Sequence, residues 1–369
     1  MIKVNQVKIY HIGMRLKAPF QTSLGTVEER ESLIIEVIDQ DGVSGWGEVV
    51  AFSAPWYTEE TIKTAYHILK AFLIPVILKK EIVHPRHVHS MFNHVKRNQM
   101  AKAGIELAIW DLFSKKEHRS LSRTLGGTRS KIEAGVVISI ASIPNMLAEI
   151  EKYLAEGYKR FKVKINPAID YELIKEIRAH FPELPLMADA NSAYTLKDLS
   201  KLQRLDDFQL MMIEQPLRAD DIVEHRLLQE NLQTPICLDE SIASFHDAFS
   251  AIQLKSCQII NIKAGRIGGL WEAKKVHDLC QQHDIQIWCG GMLETGISRA
   301  HNIALASLPH FTIPGDISSS SRYWEEDIIV PLVEVKDGTV NVPTGAGIGF
   351  EVNRRRLRSV AKHIESVTC

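Results

Sequence analysis

The amino-acid sequence predicts an α/β protein in which a TIM-type barrel follows an N-terminal α+β domain. Seven residues recur at intervals of 24 or 25 positions, the length of one strand and one helix: Ser139, Lys164, Asp189, Glu214, Asp239, Lys263 and Trp288. A short apolar segment precedes each of them, as expected of a buried parallel strand that ends there. Because the carboxyl ends of barrel strands lie on one face, where catalytic groups are found, we expect these residues to converge.

The first 125 residues form the predicted α+β domain. Apolar and polar residues alternate along two segments, and an Asp41-Gly42 turn leads into a third, which indicates an antiparallel meander. Thr58 is the predicted N-cap of a helix that runs through Leu69. A second helix is predicted where apolar residues recur at helical spacing between Ala103 and Phe113.

Residues 126–320 form the predicted barrel. Helical segments fill the intervals between its strands, for example over 144–156 and 171–180. Parallel strands joined by such helices need right-handed crossovers. Residues 321–369 are assigned to a C-terminal segment, in which a strand-like stretch over 333–342 is expected to return to the N-terminal domain and pair with it.

Composition excludes several classes of protein. The 44 basic and 45 acidic residues leave a net charge of −1 and form no basic block, so nucleic-acid binding is not expected. The longest apolar stretch, 71–78, is too short to span a bilayer, and the first residues lack a signal-peptide profile. The five cysteines have no C-x-x-C spacing and are predicted to be reduced packing residues. We expect a cytoplasmic homo-oligomer without a membrane partner.

Three carboxylates on consecutive strands form a candidate metal site: Asp189, Glu214 and Asp239. Hard oxygen ligands without histidine or cysteine from the same strand ends favour Mg²⁺, with Mn²⁺ as a substitute, over Zn²⁺. A single acid in such a place could instead cap the following helix. Three adjacent acids repel one another unless a cation neutralises them, and this favours the metal.

Lysines flank these acids on both sides. Lys162 and Lys164 share one face of their strand, and two neighbouring ammonium groups are expected to lower each other's pKa, so that one can act as a base near pH 7. Lys263 ends a strand across the barrel from Lys164. Solvated strand-end lysines are the alternative, but they would not be placed symmetrically about the acids. The arrangement suits removal of a proton from the carbon next to a carboxylate of a small-molecule substrate.

Six motifs resemble those of the enolase superfamily, muconate-lactonizing subgroup: Lys162-Val163-Lys164, Asp189-Ala190-Asn191, Ile213-Glu214-Gln215-Pro216, Asp239-Glu240-Ser241, Asn261-Ile262-Lys263 and Gly290-Gly291-Met292-Leu293-Glu294-Thr295-Gly296. More narrowly, the sequence is similar to the o-succinylbenzoate synthase and N-succinylamino acid racemase family. The resemblance covers nearly the whole chain. It implies an enolase-like fold, a (β/α)7β-type TIM barrel with an N-terminal α+β capping domain.

The resemblance also implies a role for each residue. The three acids would hold Mg²⁺, Lys164 would be the base and then the acid that expels water, and Lys263 would stabilise the enediolate from the opposite face. Lys162 would tune Lys164 and contact the substrate carboxylate. Other residues would line the substrate site, one of them in a loop of the capping domain that closes over it: Ser139, Asn191, Gly291, Met292 and Phe20.

Two reactions are implied. One is the Mg-dependent syn-dehydration of 2-succinyl-6-hydroxy-2,4-cyclohexadiene-1-carboxylate to o-succinylbenzoate in menaquinone biosynthesis, which is the work of a carbon–oxygen hydro-lyase. The other is racemisation of N-succinylamino (N-acylamino) acids by proton transfer between two lysines, and Arg266 fits the branch of the family that often has both activities. A barrel retained as a binding module would be expected to lose at least one of the charged positions, and none is lost.

Overall fold

The computed structural model describes residues 1–22 and 25–368, and for residues 20–22 and 25 it describes the backbone alone. The N-terminal domain is built on an antiparallel sheet whose first three strands are consecutive in the chain: β1 (Val4–Thr22), β2 (Gly25–Asp39) and β3 (Ser44–Val49). Side chains of β1 alternate between the two faces, so that Val7 and Ile9 are fully buried. The predicted meander is confirmed.

The helices of this domain follow β3: α1 (Ile62–Ile68), a π-helical turn (Leu69–Leu73), α2 (Ile74–Lys79), a 3-10 turn (Pro85–His87), α3 (Val88–Met91), α4 (Gln99–Lys116) and α5 (Leu121–Leu125). The N-cap predicted at Thr58 is wrong, because Thr61 and Thr64 form a capping box at the start of α1. The preceding residue, Glu60, is turned away and instead accepts hydrogen bonds from the backbone at the start of α4, at 2.8 Å from Met100 N.

Helix α4 crosses β3 at very short range. A Cβ atom on Gly47 would lie 2.2 Å from the carbonyl oxygen of Gly104, and one on Gly45 would lie 2.1 Å from that of Ala108. Glycine is therefore required at both strand positions by the close approach of two backbones. This contact fixes α4 between the sheet and the barrel.

The barrel contains seven parallel strands that pair in chain order, preceded by the short strand β4 (Lys131–Glu133): β5 (Gly135–Val137), β6 (Arg160–Lys164), β7 (Leu186–Asp189), β8 (Ile213–Glu214), β9 (Ile236–Leu238), β10 (Ile259–Ile262) and β11 (Gln286–Cys289). The segment 311–315 takes the eighth position through parallel bridges from Ile287 to Phe311 and from Ala134 to Gly315. The predicted barrel is confirmed, and it is closed.

Helices lie outside this ring: α6 (Ile143–Ala155), α7 (Asp170–His180), α8 (Leu199–Gln203) between 3-10 turns (Leu196–Asp198 and Arg204–Phe208), α9 (Ile222–Asn231), α10 (Phe245–Leu254), α11 (Ala264–Ile267), α12 (Leu270–Gln282) and α13 (Gly296–Ala306). The predictions over 144–156 and 171–180 agree with α6 and α7 to within one residue. In the described part of the chain, no helix has both the length and the apolar character needed to cross a membrane.

The C-terminal segment contains a 3-10 turn (Ser320–Arg322), β12 (Ile329–Val330), β13 (Thr339–Asn341), β14 (Glu351–Val352), α14 (Arg354–Val360) and β15 (Ala361–Thr368). The partner predicted for 333–342 is wrong, since β13 pairs with β4 beside the barrel. It is β15 that reaches the N-terminal domain, where it pairs with β1. The division into 1–125, 126–320 and 321–369 stays a prediction.

Two buried carboxylates of the N-terminal domain cap helices of the barrel. Glu106 on α4 accepts hydrogen bonds at the start of α12, at 2.8 Å from Leu270 N and 2.9 Å from Trp271 N. Glu48 on β3 does the same for α13, at 3.1 Å from Thr295 N and 3.2 Å from Ser298 N. Because the first N–H groups of a helix have no partner within it, these carboxylates join the two domains.

Candidate active site

The charged residues predicted from the spacing lie together at the carboxyl ends of the barrel strands. Lys164 ends β6, Asp189 ends β7 and Glu214 ends β8, and these three are paired in register on neighbouring strands. Asp239 and Lys263 each follow the last residue of their strand, β9 and β10. Because β6 and β10 are four positions apart in a barrel of eight, Lys164 and Lys263 come from opposite sides.

A cavity of about 440 Å³ lies over these strand ends. Lys162, Lys164, Asp189, Asp239 and Lys263 line its floor. Three aromatic residues from the segment between β3 and α1 of the N-terminal domain cover it: Phe52, Trp56 and Tyr57. The cavity is therefore lined by residues of both domains, and its size suits a small molecule.

The ammonium group of Lys162 lies among three acids. Its Nζ is 2.8 Å from Asp316 Oδ2, 3.1 Å from Glu214 Oε2 and 3.5 Å from Asp189 Oδ2. Burial disfavours the charge, but these carboxylates outweigh it and raise the pKa of Lys162 well above its ordinary value. The acids around Lys162 thus dominate its pKa, and a lowered pKa for one of the paired lysines beside a bound metal stays a prediction.

Lys164 has a different environment. Its Nζ is 2.6 Å from Asp189 Oδ2 and also donates a hydrogen bond to Asn191 Oδ1. The amide of Asn191 in turn donates to Glu240 Oε1 at 3.0 Å. The partners of Lys164 in these contacts therefore all belong to the barrel.

On the opposite side, Asp239 is shared by two cations. Lys263 Nζ is 2.8 Å from Asp239 Oδ2, and the guanidinium of Arg266 contacts Asp239 Oδ1. Burial raises the pKa of Asp239, but Arg266 and Lys263 outweigh this effect and hold that pKa well below its ordinary range. For Lys263 the signs are reversed: burial lowers the pKa of its ammonium group, but Asp239 outweighs this effect and raises that pKa above its ordinary value.

The acids fit a divalent metal by their chemistry, although as they stand no three His, Cys, Asp or Glu side chains in the described residues form a group that could hold one. Burial and the charges of Asp189 and Asp239 raise the pKa of Glu214 to about 7, even with Lys162 beside it. Burial and the neighbouring acids therefore outweigh Lys162 at this carboxyl group. A buried Glu240 oxygen, Oε2, also has no hydrogen-bond partner. A set of hard carboxylate oxygens suits a divalent cation.

Comparison with known proteins identifies the family. One family model, the mandelate racemase / muconate lactonizing enzyme N-terminal domain, matches residues 4–126, and another, the enolase C-terminal domain-like model, matches residues 145–356. This chain belongs to the enolase superfamily. Members of the superfamily generally use a divalent metal.

Individual members of the superfamily are similar over the whole chain. The o-succinylbenzoate synthase of Bacillus subtilis (strain 168) is 57% identical, over 100% of this chain and 99% of its own length. The N-succinylamino acid racemase of an Amycolatopsis species is 44% identical, over 94% of this chain and 95% of its own. A solved structure of an enolase superfamily member from Listeria innocua is 42% identical, with a TM-score of 0.97 and full coverage of both chains. The family predicted from the motifs is confirmed.

Some of the residues predicted to contact the substrate line the cavity, and others do not. Asn191, Gly291 and Met292 line the cavity. Arg266 is buried behind it, where it contacts Asp239. Ser139 is exposed and bonded to Glu149, at 3.2 Å between Ser139 Oγ and Glu149 Oε1, and it is not among the described residues that line the cavity. The side chain of Phe20 lies outside the described residues. The substrate roles of these residues stay predictions.

Three residues at the site were given no role from the sequence: Tyr57, Glu240 and Asp316. Glu240 lies inside the Asp239-Glu240-Ser241 motif, which indicates that it belongs to the site but not what it does there. Asp316 follows the segment that closes the barrel, three positions beyond the point where the 25-residue period would fall after Trp288. Tyr57 lies in a segment without regular structure, and the sequence offers no periodicity that would place it.

Proposed function

We propose that this protein is an o-succinylbenzoate synthase, a hydro-lyase of menaquinone biosynthesis. It converts 2-succinyl-6-hydroxy-2,4-cyclohexadiene-1-carboxylate to o-succinylbenzoate and water. The observation that supports this most is a lysine on each side of a buried carboxylate cluster, in a cavity lined by both domains. The o-succinylbenzoate synthases of Bacillus subtilis and Geobacillus kaustophilus, 57% and 54% identical, support the choice of substrate.

Lys164 is the proposed base. In its neutral form it takes the proton from the carbon that bears the substrate carboxylate, and the C–H electron pair moves toward that carboxylate. Lys164 then returns the proton to the hydroxyl that leaves from the neighbouring carbon on the same face. One C–H bond and one C–O bond break, one carbon–carbon double bond forms, and water departs. The base is regenerated in each turnover.

The other charged residues hold and stabilise the substrate. Asp189, Glu214 and Asp239 would hold Mg²⁺, with Mn²⁺ as a substitute, and the bound ion would supply positive charge beside the substrate carboxylate. Lys162, directed at the same acids, adds positive charge on that side. Lys263 offers its ammonium group to the opposite face of the substrate, where negative charge develops as the proton leaves.

A second activity, racemisation of N-succinylamino acids, is favoured by the position of Lys263. It lines the same cavity as Lys164 and comes from the opposite side of the barrel, so it can exchange a proton on the second face of an α-carbon. The N-succinylamino acid racemases of Amycolatopsis and Thermus thermophilus are 44% and 43% identical to this chain. The cytoplasmic location and the homo-oligomeric state stay predictions.

Steady-state assays of the purified protein test the proposal. With Mg²⁺ present, we expect dehydration of the cyclohexadiene carboxylate and racemisation of N-succinylamino acids, with the higher kcat/KM for dehydration. EDTA should abolish both activities, and added Mg²⁺ should restore them. A protein that racemises far faster than it dehydrates would overturn the choice of main reaction, and one that does neither with Mg²⁺ present would overturn the proposed function.

A further inference from the structure

A tyrosine of the N-terminal domain reaches into the barrel and contacts one of its two cavity lysines. Tyr57 Oη accepts hydrogen bonds from Lys263 Nζ at 2.9 Å and from Arg266 Nη1 at 2.7 Å, and it donates one to Asp239 Oδ2 at 3.3 Å. These three bonds use the full capacity of a phenol hydroxyl. The Lys263 ammonium also lies 4.9 Å from the centre of the Tyr57 ring.

The ring of Tyr57 is held by its own domain. It packs edge-on against Phe52 and Trp56, with centroid distances of 6.1 and 6.0 Å. The guanidinium of Arg30, on β2, lies 4.3 Å from the centre of the Phe52 ring. The position of the hydroxyl is therefore set by the N-terminal domain, whereas Lys263 belongs to the barrel.

The two cavity lysines differ in this respect. The contacts described above for Lys164 go to Asp189 and Asn191, which belong to the barrel. Those of Lys263 go to Asp239 and to Tyr57. Asp239 is also bonded to Arg266 and, by the proposed function, is a metal ligand. Tyr57 is the uncharged partner of Lys263, and it comes from the other domain.

We propose that Tyr57 is a positioning residue for Lys263. Its hydroxyl accepts one N–H of the ammonium group and so directs the rest of that group toward the substrate. Docking of the N-terminal domain thereby completes one of the two proton-transfer groups and leaves the other untouched. This inference rests on the proposed function, in which each lysine serves one face of the α-carbon.

The test is deuterium exchange at the α-carbon, measured separately for the two enantiomers of an N-succinylamino acid in D₂O with Mg²⁺. Lys263→Ala first identifies the enantiomer whose exchange depends on Lys263. Tyr57→Phe, which keeps the ring and removes only the hydroxyl, should slow exchange of that enantiomer by roughly tenfold to a hundredfold, since a bond to a charged group is lost. Exchange of the other enantiomer, through Lys164, should fall much less, because Lys263 supplies only charge to that step, and it shows that the variant is folded and loaded.

Tyr10→Phe is the matched control. Tyr10 lies in the same domain, and its buried hydroxyl donates to Glu36 Oε2 at 2.7 Å, away from the cavity. We expect this variant to exchange both enantiomers as the wild type does. Equal losses for both enantiomers in Tyr57→Phe, or no loss in either, would overturn the positioning role while leaving the proposed function intact. Wild-type protein that neither exchanges nor dehydrates would instead refute the proposed function itself.

Discussion

Replacing Glu106 by glutamine should change how the stability of the protein depends on pH. Burial raises the pKa of Glu106 from its ordinary value of 4.5 to about 8, against the hydrogen bonds it accepts at the start of α12. The folded state therefore keeps a proton that the unfolded chain releases above pH 4.5, so this residue makes stability fall as pH rises from 4.5 to 8. At about 1.36 kcal/mol per pKa unit, the loss between pH 5 and pH 8 is about 3.5 kcal/mol.

Glutamine has no such proton to lose, and the variant should lack this part of the pH dependence. Its amide group also replaces one carboxylate oxygen by an N–H donor, which then faces the backbone donor of either Leu270 or Trp271, so the variant should be less stable than the wild type at pH 5. The difference should then move in favour of the variant by about 3.5 kcal/mol on going to pH 8. Denaturant unfolding of both proteins at pH 5, 6, 7 and 8 measures it.

An exposed acid just after α4 provides the control for this experiment. Glu117→Gln removes a carboxylate of the same type that is exposed to solvent. The stability of this variant should differ from that of the wild type by a constant amount between pH 5 and pH 8. If the stability difference between Glu106→Gln and the wild type is the same at pH 5 and pH 8, the buried charge does not act as described, and the reasoning is refuted.

Three further predictions concern the site and the fold. Asp239→Asn should weaken Mg²⁺ binding in calorimetric titration, and unchanged affinity would exclude this residue as a ligand. Lys164→Ala should abolish dehydration and racemisation, and near-wild-type dehydration by this variant would contradict the one-base mechanism. Lys263→Arg keeps the positive charge on a group that cannot deprotonate, so it should reduce the kcat/KM of racemisation much more than that of dehydration. Gly47→Ala should lower the free energy of unfolding by about 1 to 3 kcal/mol, because its Cβ meets the backbone at Gly104; unaltered denaturant midpoints would show that α4 can shift.

Most of the barrel could be predicted because five of its strands, β6 to β10, end at or just before a charged residue of the site. Regular spacing and an apolar run before each of these residues are local signals, and β6, β7 and β8 follow them. The eighth position could not be found in this way. The segment 311–315 is held by single bridges and includes Pro314 and Gly315, so its sequence lacks the pattern of a strand. In the described residues no α-helix follows it directly, unlike the other barrel strands.

The candidate site was predictable where one strand end supplied one charge, and not where a contact joins distant parts of the chain. Asp189 and Glu214 could be placed beside each other from register alone. The Tyr57–Lys263 bond spans 206 residues and two domains, and no local pattern specifies it. The pKa of Lys162 depends in the same way on Asp316, whose position is known only once the barrel is closed.

The residue that follows the closing segment also sets an order of events during synthesis. Asp316 pairs with Lys162 and with Arg160, which precedes it by 156 residues. On the ribosome, β6 therefore emerges long before the carboxylate that pairs with Arg160 and completes the acids around Lys162. A nascent chain that stops short of residue 316 has an open ring in which Arg160 still lacks its acidic partner, which opposes early collapse of the barrel around it. The same stretch of chain thus supplies both the bridges that close the barrel and the carboxylate that pairs with Arg160.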